Sequence, residues 1–251
     1  MDKKLKVKSI LVTQPKPESD KSPFFDLAKK FNLKIDFRPF IHVEGIPGKE
    51  FRKEKISPLD FSAVIFTSRN SIDHYFRVCE ELRIEASSEM KYFCITEAVA
   101  LYMQKYVQYR KRKVFIGKQT TAELLEVIKK HKDENFFYPC TDVHTDEIPV
   151  FLRKSGFNIS EAVLYRTVCS DLSDLAEVNY DMIAFFSPSG IKSLFKNFPD
   201  FKQNNTRIAT FGPTTAKAVI DAGLVINIQA PSPQAPSMTM AIEEYVKTAN
   251  K

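Results

Sequence analysis

The sequence predicts an α/β protein: two doubly wound parallel-sheet lobes, related by an internal repeat and joined by a two-stranded extended linker. Three observations lead there. Short apolar runs rich in β-branched and aromatic residues stop at Ser/Thr/Pro/Gly clusters and pass into apolar patterns at helical spacing, the signature of strand, turn and helix. This occurs at 184–186 before Ser187-Pro188-Ser189-Gly190, and at 207–211 before Gly212-Pro213-Thr214-Thr215. The same paired design appears earlier, at 61–67 before Ser68-Arg69-Asn70-Ser71 and at 92–95 before Thr96-Glu97-Ala98, so half of the protein is repeated. Extended segments at 33–43 and 159–168 bracket the earlier copy. A chain that leaves one lobe, builds the second and returns divides into residues 1–36 with 170–251, an inserted lobe 42–162, and linker strands 37–41 and 163–169.

In order, residues 7–13 form a strand ended by the breakers Gln14-Pro15-Lys16-Pro17, and Phe24, Leu27, Ala28 and Phe31 share one helical face. The alternating segment 33–43 contains Pro39, which suits an edge strand or a crossing segment. Residues 70–83 present Ile72, Tyr75, Phe76, Cys79 and Leu82 at helical spacing, and 97–106 form the helix after the next strand. Strand 114–116 leads to Thr120, an N-cap with Glu123 in the first turn of a helix to about residue 130. Strand 135–138 and a helix at 146–155, stopped by Gly156, complete the inserted lobe. The last region adds helices at 190–198, 214–222 and 238–248, the last after a proline-rich loop with Ser237 as N-cap, and a strand at 225–228.

The 251 residues are 43% hydrophobic and 27% charged, ordinary for a globular chain that buries two cores. No apolar run reaches the roughly 18–20 residues of a membrane span, and the N-terminus lacks a signal-peptide pattern, which predicts a cytoplasmic protein without membrane attachment. Cys79, Cys94, Cys140 and Cys169 are scattered without a C-x-x-C pair and read as buried thiols, so neither a metal nor a disulfide is expected. The net charge of +6 and the basic run Arg110-Lys111-Arg112-Lys113 come with no zinc-finger or RNA-binding signature, and nucleic acid is not the expected partner. His42, His74, His131 and His144 sit in unrelated contexts and read as surface or packing residues. Dinucleotide-fingerprint, P-loop and nucleophile-elbow motifs are missing.

Hydroxyl-rich helix N-termini at the carboxyl ends of strands are seats for anions, and with one glycine each they suit carboxylates better than a phosphate cradle. The Phe66-Thr67-Ser68 block, Phe185-Phe186-Ser187-Pro188-Ser189-Gly190, Gly212-Pro213-Thr214-Thr215-Ala216 and Tyr165-Arg166-Thr167 together resemble the uroporphyrinogen-III synthase family over nearly the full length. That resemblance implies a cofactor-free, metal-free cyclase for the octacarboxylate hydroxymethylbilane that inverts the terminal pyrrole and loses water. It also implies a monomer, and a transient contact with the upstream deaminase is a further expectation. Tyr165 matches the family's tyrosine and is the expected acid, a phenol being protonated at neutral pH. Thr67, Ser68, Ser187, Ser189, Gly190, Thr214 and Thr215 match its binding loops, Arg207 a basic position, and Arg69 and Asn70 complete the first loop. The family's Gly-x-x-Thr turn is missing at Ile95-Thr96-Glu97, and this departure leaves a second reading: a two-lobed module that clamps an acidic small molecule without transforming it.

Overall fold

The computed structural model describes residues 6–250 apart from Ala86, Thr145 and Glu177. Its strands in chain order are β1 (Ser9–Val12), β2 (Lys34–Phe37), β3 (Ile41–Gly45), β4 (Ala63–Phe66), β5 (Lys91–Cys94), β6 (Val114–Ile116), β7 (Asn135–Thr141), β8 (Asn158–Cys169), β9 (Met182–Phe185), β10 (Arg207–Phe211) and β11 (Ile226–Ala230). The α-helices are α1 (Pro23–Phe31), α2 (Gly48–Phe51), α3 (Arg69–Leu82), α4 (Glu97–Tyr102), α5 (Thr121–Ile128), α6 (Glu147–Lys154), α7 (Pro188–Asn197), α8 (Pro213–Asp221) and α9 (Met238–Ala249). The chain divides into two compact units, residues 1–42 with 168–251 and residues 43–167.

The sheet of the first unit has the order β11-β10-β9-β1-β2, and every pair in it is parallel. The second has the order β3-β8-β7-β4-β5-β6, with parallel pairs from β8 to β6. Central strands β4 and β9 are buried at every position, as expected where helices cover both faces and the strand sequence is a continuous apolar run. The two extended segments expected to join the lobes contain the strands that cross from one unit to the other in sequence, β3 and the 12-residue β8; β8 pairs with β7 from Asn158 to Tyr165, and β3 flanks it.

Leaving β3 aside, β8-β7-β4-β5-β6 and β2-β1-β9-β10-β11 are the same arrangement, but in the first unit the pair β1 and β2 comes at the start of the chain whereas its counterpart, β7 and β8, comes after β6. The repeat is therefore a circular permutation. It matches α3 to α7, α4 to α8 and α5 to α9. In such sheets, ligands bind beyond the carboxyl ends of the two central strands whose connections run in opposite directions. Those are β4 and β7 in the second unit, β1 and β9 in the first.

Aromatic side chains fill both cores. Around β4, Phe66 packs against Tyr75, Phe76 and Tyr92, with the Tyr92 ring stacked 6.0 Å away. In the first unit, Phe40 meets Phe185 edge to face at 5.8 Å. Such contacts add to the burial that holds each sheet to its helices.

Candidate functional site

At the carboxyl end of β4 the chain turns at Thr67 and Ser68 into α3. The Ser68 hydroxyl accepts the Ser71 amide at 3.1 Å, and the Ser68 amide donates to the Ser71 hydroxyl at 3.2 Å, a reciprocal cap that fixes the turn. Next to it, Tyr165 of β8 lies 6% exposed with its phenol 3.4 Å from the Ser68 hydroxyl. The His74 ring, one turn into α3, stacks on the Tyr165 ring at 4.9 Å. Burial raises the Tyr165 phenol above its ordinary range against the hydrogen bond from Ser68, so the proton stays on oxygen. Burial and the neighbouring Arg77 hold His74 below its ordinary value, and Arg77 Nε donates to His74 Nδ1 at 3.2 Å. Arg77 also donates to the carbonyls of Ile46 and Leu164, which ties α3 to the residue before Tyr165. Thr67 is engaged with the Tyr138 phenol. Arg69 and Asn70 are exposed at the start of α3, with the Arg69 guanidinium 5.2 Å from the Tyr102 ring centre.

In the first unit, Ser187 caps α7 by accepting the Gly190 amide, Ser237 caps α9 by accepting the Met240 amide, and Thr13, just past β1, donates to the Ala184 carbonyl at 2.9 Å. Ser189 is half-buried in the first turn of α7. At α8 the N-cap is Gly212, at φ +85, and no side chain caps the helix. The positive φ needs glycine; the Gly212 amide donates to the Ala230 carbonyl at 2.7 Å and Pro213 has no N–H, so the missing cap leaves the Thr214 and Thr215 amides without a side-chain acceptor from the N-cap. Thr214 is exposed there and Thr215 is buried at 1%.

Two sequence expectations change. Arg207 begins β10, as expected, but its guanidinium lies on the carbonyls of Asp181 and Asn205 at the amino edge of the sheet, which separates it from the residues around Gly212 with which it was grouped. The turn before α4 has Thr96, not Ile95, at the place of Gly212: Thr96 is the N-cap, accepts the Val99 amide and needs no positive φ. Glu97 is exposed in the first turn of α4, where a carboxylate complements the helix dipole. The departure from the family pattern is thus a closed cap in place of an open one.

A cavity of about 660 Å³, lined among others by Tyr180, Asp181, Phe198 and Asn205, opens at the amino edge of the first sheet, away from all of these loops. A cluster the sequence did not reveal lies at the end of β7, where Cys140, His144 and Glu161 bring their sulfur, nitrogen and oxygen atoms within 4.8 Å of one another. Burial, with Glu161 and Asp146 nearby, pushes the Cys140 thiol up to about 12.

Two permuted copies of a doubly wound α/β unit, with hydroxyl-capped helices after their central strands and a protonated phenol beside one of them, define a class of two-unit α/β proteins. Fold comparison agrees at the level of architecture. Uroporphyrinogen-III synthetase from Helicobacter pylori superposes with a TM-score of 0.60 at 17% identity, covering 96% of this chain and 99% of that one. A mutant uroporphyrinogen III synthase from Thermus thermophilus gives 0.56 at 12% identity, covering 97% and 99%. The chain belongs to the uroporphyrinogen-III synthase (HemD) family, whose profile matches residues 25–240. The uroporphyrinogen-III synthase of Saccharomyces cerevisiae is 30% identical over 120 residues, which cover 41% of this chain and 43% of the yeast protein, so this chain matches less than half the length of that relative. Among the described residues no helix is long and apolar enough to cross a membrane.

Proposed function

We propose that the protein is a uroporphyrinogen-III synthase, which closes hydroxymethylbilane to the ring while inverting its last pyrrole and releasing water. The observation that carries this reading is the Tyr165 phenol, kept protonated by burial, 3.4 Å from the Ser68 hydroxyl in a chain of this family. Tyr165 hydrogen-bonds and protonates the departing hydroxyl of the substrate, and the Ser68 hydroxyl, already anchored by its cap, orients the phenol. The water leaves from an electron-rich pyrrole, which becomes an azafulvene. Attack of the substituted carbon of the terminal pyrrole gives a spiro intermediate that opens and recloses inverted. What the protein adds is orientation and one positioned proton donor.

The substrate's carboxylates are seated chiefly by the first unit. Helices α7, α8 and α9 have no acidic residue in their first turns, whereas α4 and α5 already hold Glu97 and Glu123 there. A carboxylate brought to α5 would meet Glu123, which accepts from the amides of Gln119 and Thr120. At α8 the uncapped amides, with Thr214 beside them, take an anion without such competition. Ser187, Ser189 and Gly190 form the neighbouring seat, and Thr67, Arg69 and Asn70 line the approach to Tyr165.

The test is to generate hydroxymethylbilane in situ with its deaminase, add the protein, oxidise the products and separate the porphyrin isomers. Spontaneous closure gives type I. Type III in proportion to added protein is expected; type I at every concentration, where a known synthase gives type III, would overturn the assignment in favour of a binding module.

A further inference from the structure

We propose that Cys140, His144 and Glu161 form a binding site for one divalent transition-metal ion of the zinc class, with Asp146 as a fourth ligand. The strands bring the donors together. Glu161 on β8 is the register partner of Tyr138 on β7, and Cys140, two residues further along β7, shares the Tyr138 face because side chains alternate along a strand. His144 returns over them from the loop that follows β7.

The hydrogen bonds around the cluster choose the atoms. His144 Nδ1 lies 2.7 Å from the Thr141 carbonyl, which only accepts, so Nδ1 carries the proton and Nε2 presents a lone pair. Arg153 donates to Glu161 Oε1 at 2.6 Å, leaving Oε2 on the inner side. Those two inner atoms, Nε2 and Oε2, are 3.4 Å apart, and Asp146 Oδ1 lies 3.5 Å from the same nitrogen. Asp146 stands at the N-cap of α6, a position where aspartate ordinarily binds the helix amides, yet it makes no such bond. An imidazole lone pair facing two carboxylate oxygens requires a proton or a metal cation between them.

The separations suit a metal. Ligand atoms on one tetrahedral zinc, with bonds of about 2.0 to 2.3 Å, stand roughly 3.3 to 3.7 Å from one another. His144 Nε2 already stands at that spacing from each of the two carboxylates, and Cys140 Sγ needs to approach His144 and Glu161 by about 1 Å at most, within side-chain rotation. Sulfur, imidazole and carboxylate together select zinc, cobalt or a similar ion over magnesium or calcium. Thr141 and Arg153 then act as the outer partners that fix the imidazole tautomer and one carboxylate oxygen, a pattern common around such ions. On binding, the Cys140 proton, now donated to the Ala162 carbonyl, passes to solvent, and the sulfur–metal bond takes its place.

The test uses the untagged full chain, stripped with chelator and titrated with cobalt(II). One equivalent is expected to bring up a thiolate-to-cobalt charge-transfer absorption that one equivalent of zinc then removes. His144→Gln, a half-buried loop change that leaves the core alone, is expected to weaken binding at least ~10-fold, and Cys140→Ser to abolish the charge-transfer band. If the gap holds only a proton, no thiolate band develops at any cobalt concentration, and the proposal falls. It falls equally if His144→Gln leaves the titration unchanged, because the ion would then be bound elsewhere.

Discussion

The two units share one strand order and differ in how their helices begin. In the first unit α8 starts at an uncapped glycine, and none of α7, α8 and α9 opens with an acid. In the second unit Ser68, Thr96 and Thr120 all cap their own helices, and two of the three carry a carboxylate in the first turn. Titratable side chains are distributed the other way: Tyr165, His74, Cys140 and His144 all gather around β4, β7 and β8 of the second unit. Duplication supplied two equivalent frames. Under the proposed function, the uncapped start of α8 and the lack of first-turn acids in α7, α8 and α9 would assign anion seating to the first unit and proton donation to the second.

This division of labour is most exposed at Tyr165. Tyr165→Phe keeps the ring stack on His74 and removes only the hydroxyl, so type III formation should fall by about 10² to 10⁴-fold, the usual worth of a general acid, with the thermal midpoint nearly unchanged. A wild-type rate would take the phenol out of the mechanism and end the assignment of chemistry to the second unit. Exchanging the two caps probes the other side of the contrast. Gly212→Thr forces a β-branched residue to φ +85 and should cost about 1 to 3 kcal/mol in urea unfolding, with a raised KM because the new hydroxyl competes for the α8 amides. Thr96→Gly should cost only a few tenths of a kcal/mol and leave KM alone; equal effects of the two on KM would show that the open cap has no special part in binding.

Smaller again is the pair Ser68→Ala and Ser187→Ala. Each deletes one cap and should destabilise by about 1 kcal/mol. Only Ser68→Ala also strips Tyr165 of its partner, so kcat should drop in that variant and not in the other. Matching kcat values would mean that Ser68 serves α3 alone.

The last effect is one of pH. Burial holds His74 and His131, both in the second unit, below their ordinary value. With folded pKa values under the unfolded one of about 6.5, the unfolded chain binds more protons in between. The stability these groups contribute is intact above about pH 6.5 and is lost as pH falls through their folded values. Hydrogen exchange followed from about pH 7.5 to about pH 5.5 should show protection declining in β4 and β5 before β9 and β10; a simultaneous decline, or the same slope in His74→Gln with His131→Gln, would count against it.

Much of this could be read from the sequence because each strand stops at hydroxyl or glycine residues, local features that also set the caps. Ser68, Thr120, Ser187 and Ser237 could be placed for that reason. Strand order could not, since pairing of β1 with β9 depends on contacts some 172 residues apart. Cys140 and His144 are near neighbours in sequence, but the third donor sits on an adjacent strand whose register no spacing encodes. Arg207 is the instructive case. Five strand residues span about 17 Å, so a basic residue at the start of the run before Gly212 must lie at the far edge of the sheet, whatever family position it matches.

The permutation also fixes a timetable. The second sheet closes from one uninterrupted stretch of chain, with β4 meeting β5 across 28 residues at Ala63 and Lys91. In the first, β1 and β2 leave the ribosome early and then wait through the synthesis of the entire inserted unit before Met182 arrives to pair with Ile10. Loop closure over so long a span is the slower and costlier event, and until it happens β1 exposes an apolar edge. The inserted unit therefore assembles first, and the sheet of the other is completed only when the chain returns. Pulse-labelled refolding would register this as amides of β4 and β5 protected ahead of those of β1, and the interval between them is when a growing chain most needs protection from its neighbours.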